Sequence, residues 1–390
     1  MDLSVLQVHN YYRQPGGEDP VVSAEAALLT ARGHTVNKYT LHNNAVAEYG
    51  RLQLLRAAFW NQTSYATTRR LLRSNQASVM HVHNTFPLIS PSVYYAAESE
   101  RVGVVQTLHN YRLLCPSATF LRNGRLCEKC ASKPVAWPSV VHSCYRNSRA
   151  ASGVIAAMQG LHWARRTYTA KIHAYIVMTR FSRDKFIAGG LPPERIFVKP
   201  HFIDPDPGAG DGNGAFALYV GRLASEKGVL TLLEAWDRIS SAVPLKLVGD
   251  GPLAAEVQTA ARRNSGISWL GQMSKRKVFA LLGNAKFLVV PSISYETFGL
   301  VVIEAFAKGT PVIGSGIGAI GEVIDHGRNG RHARPGDPDD LCAQVEALLS
   351  EPGAAKQMRR EAREEYLAHY TADRNYDQLM QVYDCAMAAR

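Results

Sequence analysis

Short apolar runs alternate along the whole chain with longer stretches in which apolar residues recur every three to four positions. A short uninterrupted run reads as a strand buried on both faces and the longer periodicity as an amphipathic helix. Their regular alternation predicts parallel sheets covered by helices. In the first half, strands are expected at 3–8, 35–39, 79–82, 102–107 and 174–178, with helices at 21–32 and near 56–74, 88–98 and 147–165. Residues 200–214 break the pattern: rich in Pro, Gly and Asp, they offer little to a core and mark a linker. Behind them the alternation resumes, with strands at 216–220, 245–248, 267–269, 287–290 and 311–313. Helices are expected at 228–239, 253–264, 275–284, 300–308, 320–324 and 338–349, and two more within 355–389, bent near 369–373.

The fold class is therefore α/β, with two Rossmann-like, doubly wound domains facing each other across a cleft. The expected divisions are an N-terminal domain at 1–202 with a Cys-rich insertion at 115–144, a linker at 203–214, a C-terminal domain at 215–365 and a C-terminal helical segment at 366–390.

Composition narrows the classes. Of the 390 residues 46% are apolar and 20% charged, which excludes wholesale disorder. The apolar runs fall well short of the roughly 20 residues that cross a bilayer, and Met1-Asp2-Leu3-Ser4 carries no basic leader. A cytoplasmic location with reduced thiols is expected. The net charge of +11 is uneven: residues 1–200 hold 24 Lys and Arg against 10 Asp and Glu, the remainder 20 against 23. The basic half suits an anionic partner, whether a membrane surface, a phosphorylated substrate or nucleic acid. The stretch 56–73, where Phe59, Trp60 and Tyr65 accompany Arg69, Arg70 and Arg73, could rest on an anionic membrane or line an acceptor cleft. An ordinary packed helix with a basic face would read the same way.

Candidate chemistry clusters at predicted strand ends. The segment Tyr219-Val220-Gly221-Arg222-Leu223-Ala224-Ser225-Glu226-Lys227-Gly228 places two cations just past a strand, where open α/β sheets put ligands and where a diphosphate leaving group could be neutralised. Pro291-Ser292-Ile293-Ser294-Tyr295-Glu296-Thr297-Phe298-Gly299-Leu300 runs from another strand into a helix bearing Glu304. The amides of Phe298, Gly299 and Leu300 at that helix start could hold phosphate oxygens, and the two acids could take ligand hydroxyls. Read alone, the cations could be solvated and Glu296 a helix cap. Gly316-x-Gly318-x-x-Gly321 matches a dinucleotide fingerprint, but it follows a late strand and lacks the acid that reads the ribose, so a Gly-rich turn is the better reading.

In the N-terminal half, Gly16-Gly17 would let a bound group approach the backbone. His81, His83 and His109 sit near strand ends, His109 as the functional candidate in Thr107-Leu108-His109-Asn110-Tyr111-Arg112 and His81 as a structural one. No helical histidine pair supports a catalytic metal. Cys115, Cys127, Cys130 and Cys144 include the close pair Cys127-Glu128-Lys129-Cys130 and offer four thiolates for a structural zinc, with unmetallated thiols as the alternative.

Taken together, the Gly221-Arg222…Lys227 loop, the Gly249-Asp250-Gly251-Pro252 turn and the Glu296/Glu304 pair resemble the retaining, GT-B-fold glycosyltransferases of family 4, glycosyltransferase group 1. The phrases His9-Asn10-Tyr11-Tyr12, Gly16-Gly17-Glu18-Asp19, Val82-His83-Asn84-Thr85-Phe86-Pro87 and Thr107 to Arg112 are similar to a bacterial surface-polysaccharide branch that also carries the four-cysteine insertion. The resemblance implies a nucleotide-diphosphate sugar donor on the C-terminal domain and a saccharide or polyprenyl-diphosphate-linked acceptor on the N-terminal one. Arg222 and Lys227 would hold the diphosphate, Glu296 the donor sugar beside Phe298, Gly299 and Leu300, Glu304 the ribose, and Trp269 and Leu270 would border the base. Gly16 and Gly17 would contact phosphate and His109 the reacting sugar, with no catalytic metal. It further implies exopolysaccharide or lipopolysaccharide synthesis, with a peripheral position at the inner face of the cell membrane as an extension. The competing readings are a sugar-nucleotide epimerase or phosphorylase on the same fold, or a zinc-stabilised basic nucleic-acid-binding protein. Nucleic acid is not the expected partner, because it explains neither the acid pair nor the cation loop.

Overall fold

Valine, leucine and isoleucine fill the strands because both faces of a parallel sheet are covered. A computed structural model of the chain describes residues 2–13, 16–239 and 242–390. It divides into two units, one formed by Met1–Ala118, Glu128–Lys199 and Asn375–Arg390, the other by Thr119–Cys127 and Pro200–Arg374.

The first unit holds β1 (Ser4–Tyr11), β2 (Thr35–His42), β3 (Val79–Asn84), β4 (Gly103–Thr107), β7 (Ala174–Val177) and β8 (Ile196–Val198) in the order β2-β1-β3-β4-β7-β8. All neighbours are parallel. The order reverses between β1 and β3, so the crevice beyond the carboxyl ends of those two strands is the expected ligand position in this unit. The helix Ala372–Ala388 supplies Leu379, Val382, Tyr383 and Ala386 to the same apolar cluster as Val5, Val79, Val105 and Ile176. It lies so close to β4 that a Cβ on Gly103 would stand 2.5 Å from the Ala386 carbonyl oxygen.

Two buried side chains, Lys199 and His81, tie this unit together through long-range polar contacts. Lys199 Nζ donates to Glu25 Oε1 at 2.9 Å and to Asn375 Oδ1 at 3.1 Å, all three groups buried. His81 is fully buried with Nδ1 at 2.8 Å from the Tyr383 hydroxyl and Nε2 at 2.8 Å from Thr107 Oγ1. Both ring nitrogens are thus occupied, which fits the structural role expected for this histidine.

The second unit has the strand order β11-β10-β9-β12-β13-β14, built from β9 (Ala217–Val220), β10 (Leu245–Val248), β11 (Ile267–Trp269), β12 (Phe287–Val290), β13 (Val312–Ser315) and β14 (Gly330–Ala333). Renumbered within the unit this is 3-2-1-4-5-6, the dinucleotide-fold order, all parallel. Its switch point lies between β9 and β12. Trp236 fills the core beside β9 and β10, fully buried, with its indole N–H satisfied by the Val243 carbonyl at 2.9 Å. The unit also includes the two-stranded antiparallel ribbon of β5 (Leu121–Arg122) and β6 (Arg125–Leu126).

Several elements depart from the sequence expectation. The helix expected near 56–74 is two, Arg51–Phe59 and Gln62–Ser74, because Asn61 is extended and its side chain caps the second by accepting from the Ser64 amide at 3.0 Å. Strands β8 and β14, the ribbon and the helix Arg180–Ala188 lie outside the expected set. No helix among the described residues is long and apolar enough to cross a membrane.

Candidate functional site

The two motifs singled out in the C-terminal half lead away from the two strands that flank its switch point. The loop after β9 is held by backbone pairing with the turn after β10: Gly221 N–H donates to Val248 O at 3.0 Å, Leu223 N–H to Asp250 O at 2.9 Å and Leu253 N–H to Leu223 O at 2.9 Å. Such close approach requires Gly249, where φ is +137° and a Cβ would stand 1.9 Å from the Gly221 carbonyl oxygen. Across the switch point, Gly228 has φ +70° and an added Cβ would meet the Pro291 carbonyl at 1.8 Å, while Ile293 N–H donates to Glu226 O at 3.0 Å.

This bracing brings Lys227 and Glu296 together, 69 residues apart in sequence and 2.7 Å apart in space. Glu296 also accepts from Ser292 Oγ at 2.7 Å. Burial acts to raise the Glu296 carboxyl, but Lys227 and the two hydrogen bonds outweigh it and hold the group below its ordinary value. The carboxyl is therefore ionised where Lys227 and Ser292 hold it. Arg222 lies on the same loop, half exposed, with Glu226 its loose ion partner at 3.9 Å. The buried Tyr219 hydroxyl donates to the Arg222 carbonyl at 2.8 Å and fixes the backbone beneath that side chain.

Helix Leu300–Ala307 begins where expected. Gly299 caps it at φ +89°, a left-handed conformation that suits glycine. Phe298 is buried, its ring edge-on to His201 at 5.3 Å and Tyr370 at 6.0 Å, so the turn that presents the first helical amides is anchored from beneath. Glu304 lies one turn inside this helix. Burial pushes its carboxyl up to about 7, with Lys275 opposing. Trp269, at the end of β11, spends its indole N–H on the Gly249 carbonyl at 3.0 Å, and Leu270 N–H pairs with Leu247 O at 2.9 Å. In the Gly316–Gly321 turn, Gly321 lets helix Gly318–Val323 approach, since a Cβ there would lie 2.9 Å from the Gly316 carbonyl carbon. Packing accounts for that glycine.

In the N-terminal unit the expected residues lie at the carboxyl edge of β1, β3 and β4. Asp19 shapes the loop after β1: its Oδ1 lies 2.8 Å from His9 Nε2 and its Oδ2 accepts from the Gly16 amide at 3.0 Å. Gly17 has ordinary helical φ, and a Cβ there would meet nothing within 4 Å, so packing does not explain a glycine at this position. His109 Nε2 lies 3.0 Å from His83 Nδ1. It lines a small cavity of about 60 Å³ together with Asn84, Phe86, Asn110 and Arg112.

Sequence reasoning missed Glu18. Its carboxyl is buried in the first turn after Gly17, and burial, followed by the neighbouring Asp19 charge, pushes it up to about 8 against the pull of Arg112. An acid pair directly after a glycine pair beyond the first strand is the signal that marks it. Ser292 was also missed.

Two further expectations meet the geometry differently. Among the described residues, the groups of three or more ligand-type atoms lying within 4.8 Å of one another are Glu25/His81/His83 and His9/Glu18/Asp19. The four insertion cysteines are in neither, and no disulfide joins any of the six cysteines. Of the arginines on the helix Gln62–Ser74, Arg69 and Arg73 both bond Glu100, each Nε at 2.5 Å from a carboxylate oxygen, and hold that carboxyl below its ordinary value. Only Arg70 of the three is outside this bridge, so the face is less basic than its sequence suggests.

Against known proteins, residues 15–207 match the model for Glycosyltransferase Family 4 and residues 215–351 the model for Glycosyl transferases group 1. The chain is a glycosyltransferase of the group 1, family 4 type. Glycogen synthase of Mycobacterium tuberculosis is 37% identical to this glycosyltransferase over 153 residues, 38% of this chain and 37% of that protein. An uncharacterized glycosyltransferase of Methanocaldococcus jannaschii is 34% identical over 156 residues, covering 40% of this chain and 44% of its own length. The glycosyltransferase thus spans less than half the length of these curated relatives. A glycosyltransferase from Rickettsia africae shares the fold at a TM-score of 0.71 and 16% identity, with 100% of both chains covered. Anabaena Alr3699/HepE in complex with UDP gives a TM-score of 0.71 at 16% identity, covering 98% of this chain and 100% of that one. These likenesses identify the GT-B fold.

Proposed function

We propose that this glycosyltransferase moves a sugar, with retention of anomeric configuration, from a nucleotide-diphosphate sugar to a hydroxyl of a saccharide or polyprenyl-diphosphate-linked acceptor in polysaccharide synthesis. The observation that carries the reading is the Lys227–Glu296 pair, braced at the switch point of a 3-2-1-4-5-6 sheet beside Arg222 and a helix start. Positive groups fixed where diphosphate charge develops lower the barrier without nucleophilic chemistry. Arg222 and Lys227 take that role, and the first-turn amides after Phe298 and Gly299 add phosphate donors. Glu296, kept anionic, accepts donor-sugar hydroxyls and also orients Lys227. Glu304 accepts ribose hydroxyls, and Trp269 and Leu270 border the base. The acceptor hydroxyl approaches from the face the diphosphate leaves, and a phosphate oxygen takes its proton. Gly16, Gly17 and His109 are the N-terminal residues proposed to serve the substrates.

The solved complex of Alr3699/HepE with UDP supports a nucleoside diphosphate as the ligand class. An epimerase or phosphorylase would share the donor loops and differ in product. The zinc reading rests on the four thiols alone, and no step is routed through a metal. An anionic membrane as docking partner rests on the excess charge of residues 1–200 and is weakened by the Glu100 bridge.

Calorimetry with UDP-, GDP-, ADP- and dTDP-sugars, with and without chelator, tests the proposal. Binding of one class unaffected by chelator is expected. Binding to NAD alone, or to no nucleotide diphosphate, would overturn it.

A further inference from the structure

Residues 129–170, which run from the Cys-rich insertion through the helix Arg149–Ala164, hold six Lys and Arg and no Asp or Glu. Lys129, Lys133, Arg146, Arg149, Arg165 and Arg166 are all exposed. None of the six is in an ion pair among the described residues, and the acid that precedes the run, Glu128, is taken by Lys185 at 2.6 Å. The helix Gln62–Ser74 differs, because Glu100 bridges two of its arginines.

The same run turns apolar side chains outward. Val135, Trp137 and Val141 are 45%, 56% and 55% exposed. Their neighbours Ala136, Pro138 and Ser139 are buried, and Ser139 Oγ donates to the Ala136 carbonyl at 2.7 Å, so the turn is fixed from beneath. Gly160 makes room for it on the helix Arg149–Ala164, since a Cβ there would stand 2.9 Å from Val135 Cγ2. Trp137 and Val141, four positions apart on one short helix, share a face. Beside them Lys133, Pro134 and Val135 line a groove of about 520 Å³ together with Leu114, Trp163 and Ala164. Lys133 Nζ lies 5.7 Å from the Trp137 ring centre, and Arg165 and Arg166 follow Ala164 directly, so three of the six cations adjoin the apolar surface.

We infer that Val135, Trp137 and Val141, with Lys133, Arg165 and Arg166 beside them, form the surface by which the protein docks on an anionic lipid bilayer. Tryptophan favours the boundary between headgroups and acyl chains, where its ring leaves water and its N–H stays wet. The valines gain by leaving water, and the cations gain by approaching anionic headgroups. A polynucleotide would use the same charge but draws nothing from the two valines, so lipid is the better match. The surface follows from these exposures and charges alone. A membrane-borne acceptor rests on the function proposed above.

Flotation of the full chain with phosphatidylglycerol-containing vesicles, and with vesicles of phosphatidylcholine alone, tests the surface. Binding to the anionic vesicles, lost at high salt and absent from the neutral ones, is expected. Lys133→Gln, Arg165→Gln and Arg166→Gln together should weaken it about a hundredfold, from roughly fivefold for each cation near the surface. Trp137→Ser with Val141→Ser should weaken it about tenfold. Both variants change exposed positions only and should melt as the wild type does. Vesicles of brominated lipid report the contact directly: they should quench wild-type tryptophan fluorescence and leave Trp137→Ser unquenched. No flotation, equal binding to neutral vesicles, flotation unchanged in either variant, quenching that survives Trp137→Ser, or salt-sensitive binding to single-stranded DNA in place of vesicles would overturn the inference. Vesicle binding by a protein that takes no nucleotide-diphosphate sugar would sustain the surface and remove the function proposed above.

Discussion

Replacing Lys227 by methionine separates the catalytic from the structural role of the pair at the switch point. Its Nζ is 2.7 Å from Glu296 Oε1, with side-chain exposures of 33% and 16%. At that distance an effective dielectric near 20 gives a Coulomb energy of about 6 kcal/mol. Desolvation of the half-buried partners and solvent screening remove most of it, leaving a net stability contribution of about 1 kcal/mol. A cation facing charge that develops on a leaving group is worth about 2–4 kcal/mol in the transition state, or roughly 30- to 1,000-fold in rate. Lys227→Met should therefore lose far more activity than stability. Because Glu296 is held below its ordinary 4.5, the pair's stabilisation is present above that pH and is lost as pH falls through the lower folded value. The variant should lack this acid limb. Urea unfolding between pH 3 and 8, with initial rates of nucleotide release, measures both quantities. A Lys227→Met rate within about threefold of wild type, in a protein of unchanged stability, would refute the leaving-group role.

Other outcomes follow from the same geometry. Gly228→Ala should cost about 2–4 kcal/mol in urea unfolding, since left-handed strain and a clash add together at a position where Cβ would meet the Pro291 carbonyl at 1.8 Å. Because Glu304 is raised to about 7 and its anion is the better acceptor for ribose hydroxyls, nucleotide affinity should fall as pH drops through 7 and the Glu304→Gln profile should be flat in that range; a sloping Glu304→Gln profile would place the titrating group elsewhere. Metal analysis of protein purified without added zinc should give about one equivalent, lost in Cys127→Ser, if the four thiols converge on zinc; metal-free, stable protein with reactive thiols ends that reading. Flotation with anionic vesicles should be salt-sensitive and depend on Arg70 more than on Arg69 or Arg73, which Glu100 already bridges; flotation unaffected by Arg70→Ala would place any membrane contact elsewhere.

The sheets were legible because buried parallel strands leave a short apolar signature that helices do not share. β1, β3, β4, β9, β10 and β12 all have it. Strand β14, Gly330-Arg331-His332-Ala333, lacks it because it lies at a sheet edge and only its ends are buried. The ribbon of β5 and β6 turns on Asn123-Gly124, both at positive φ, a dipeptide that marks such turns, but its strands are two residues each and carry no apolar run. The break at Asn61 was hidden because the apolar periodicity runs on across the cap. At the candidate site, loop positions could be read from strand ends, and so could the charge types. What sequence does not display is pairing between distant residues: Glu25 meets Lys199 174 positions away, and Lys227 meets Glu296 across 69. Glu18 escaped notice because burial, not residue type, gives it an unusual proton affinity.

The central claim is that a nucleoside-diphosphate sugar is held by the loops that follow β9 and β12. Amide hydrogen exchange of the full chain, with and without the donor selected by calorimetry, measures this directly. Protection is predicted to concentrate in residues 219–228 and 291–305 and to weaken in Lys227→Met at equal donor concentration. Saturating donor that leaves both segments unprotected, or protects the Gly316–Gly321 turn alone, would contradict the account.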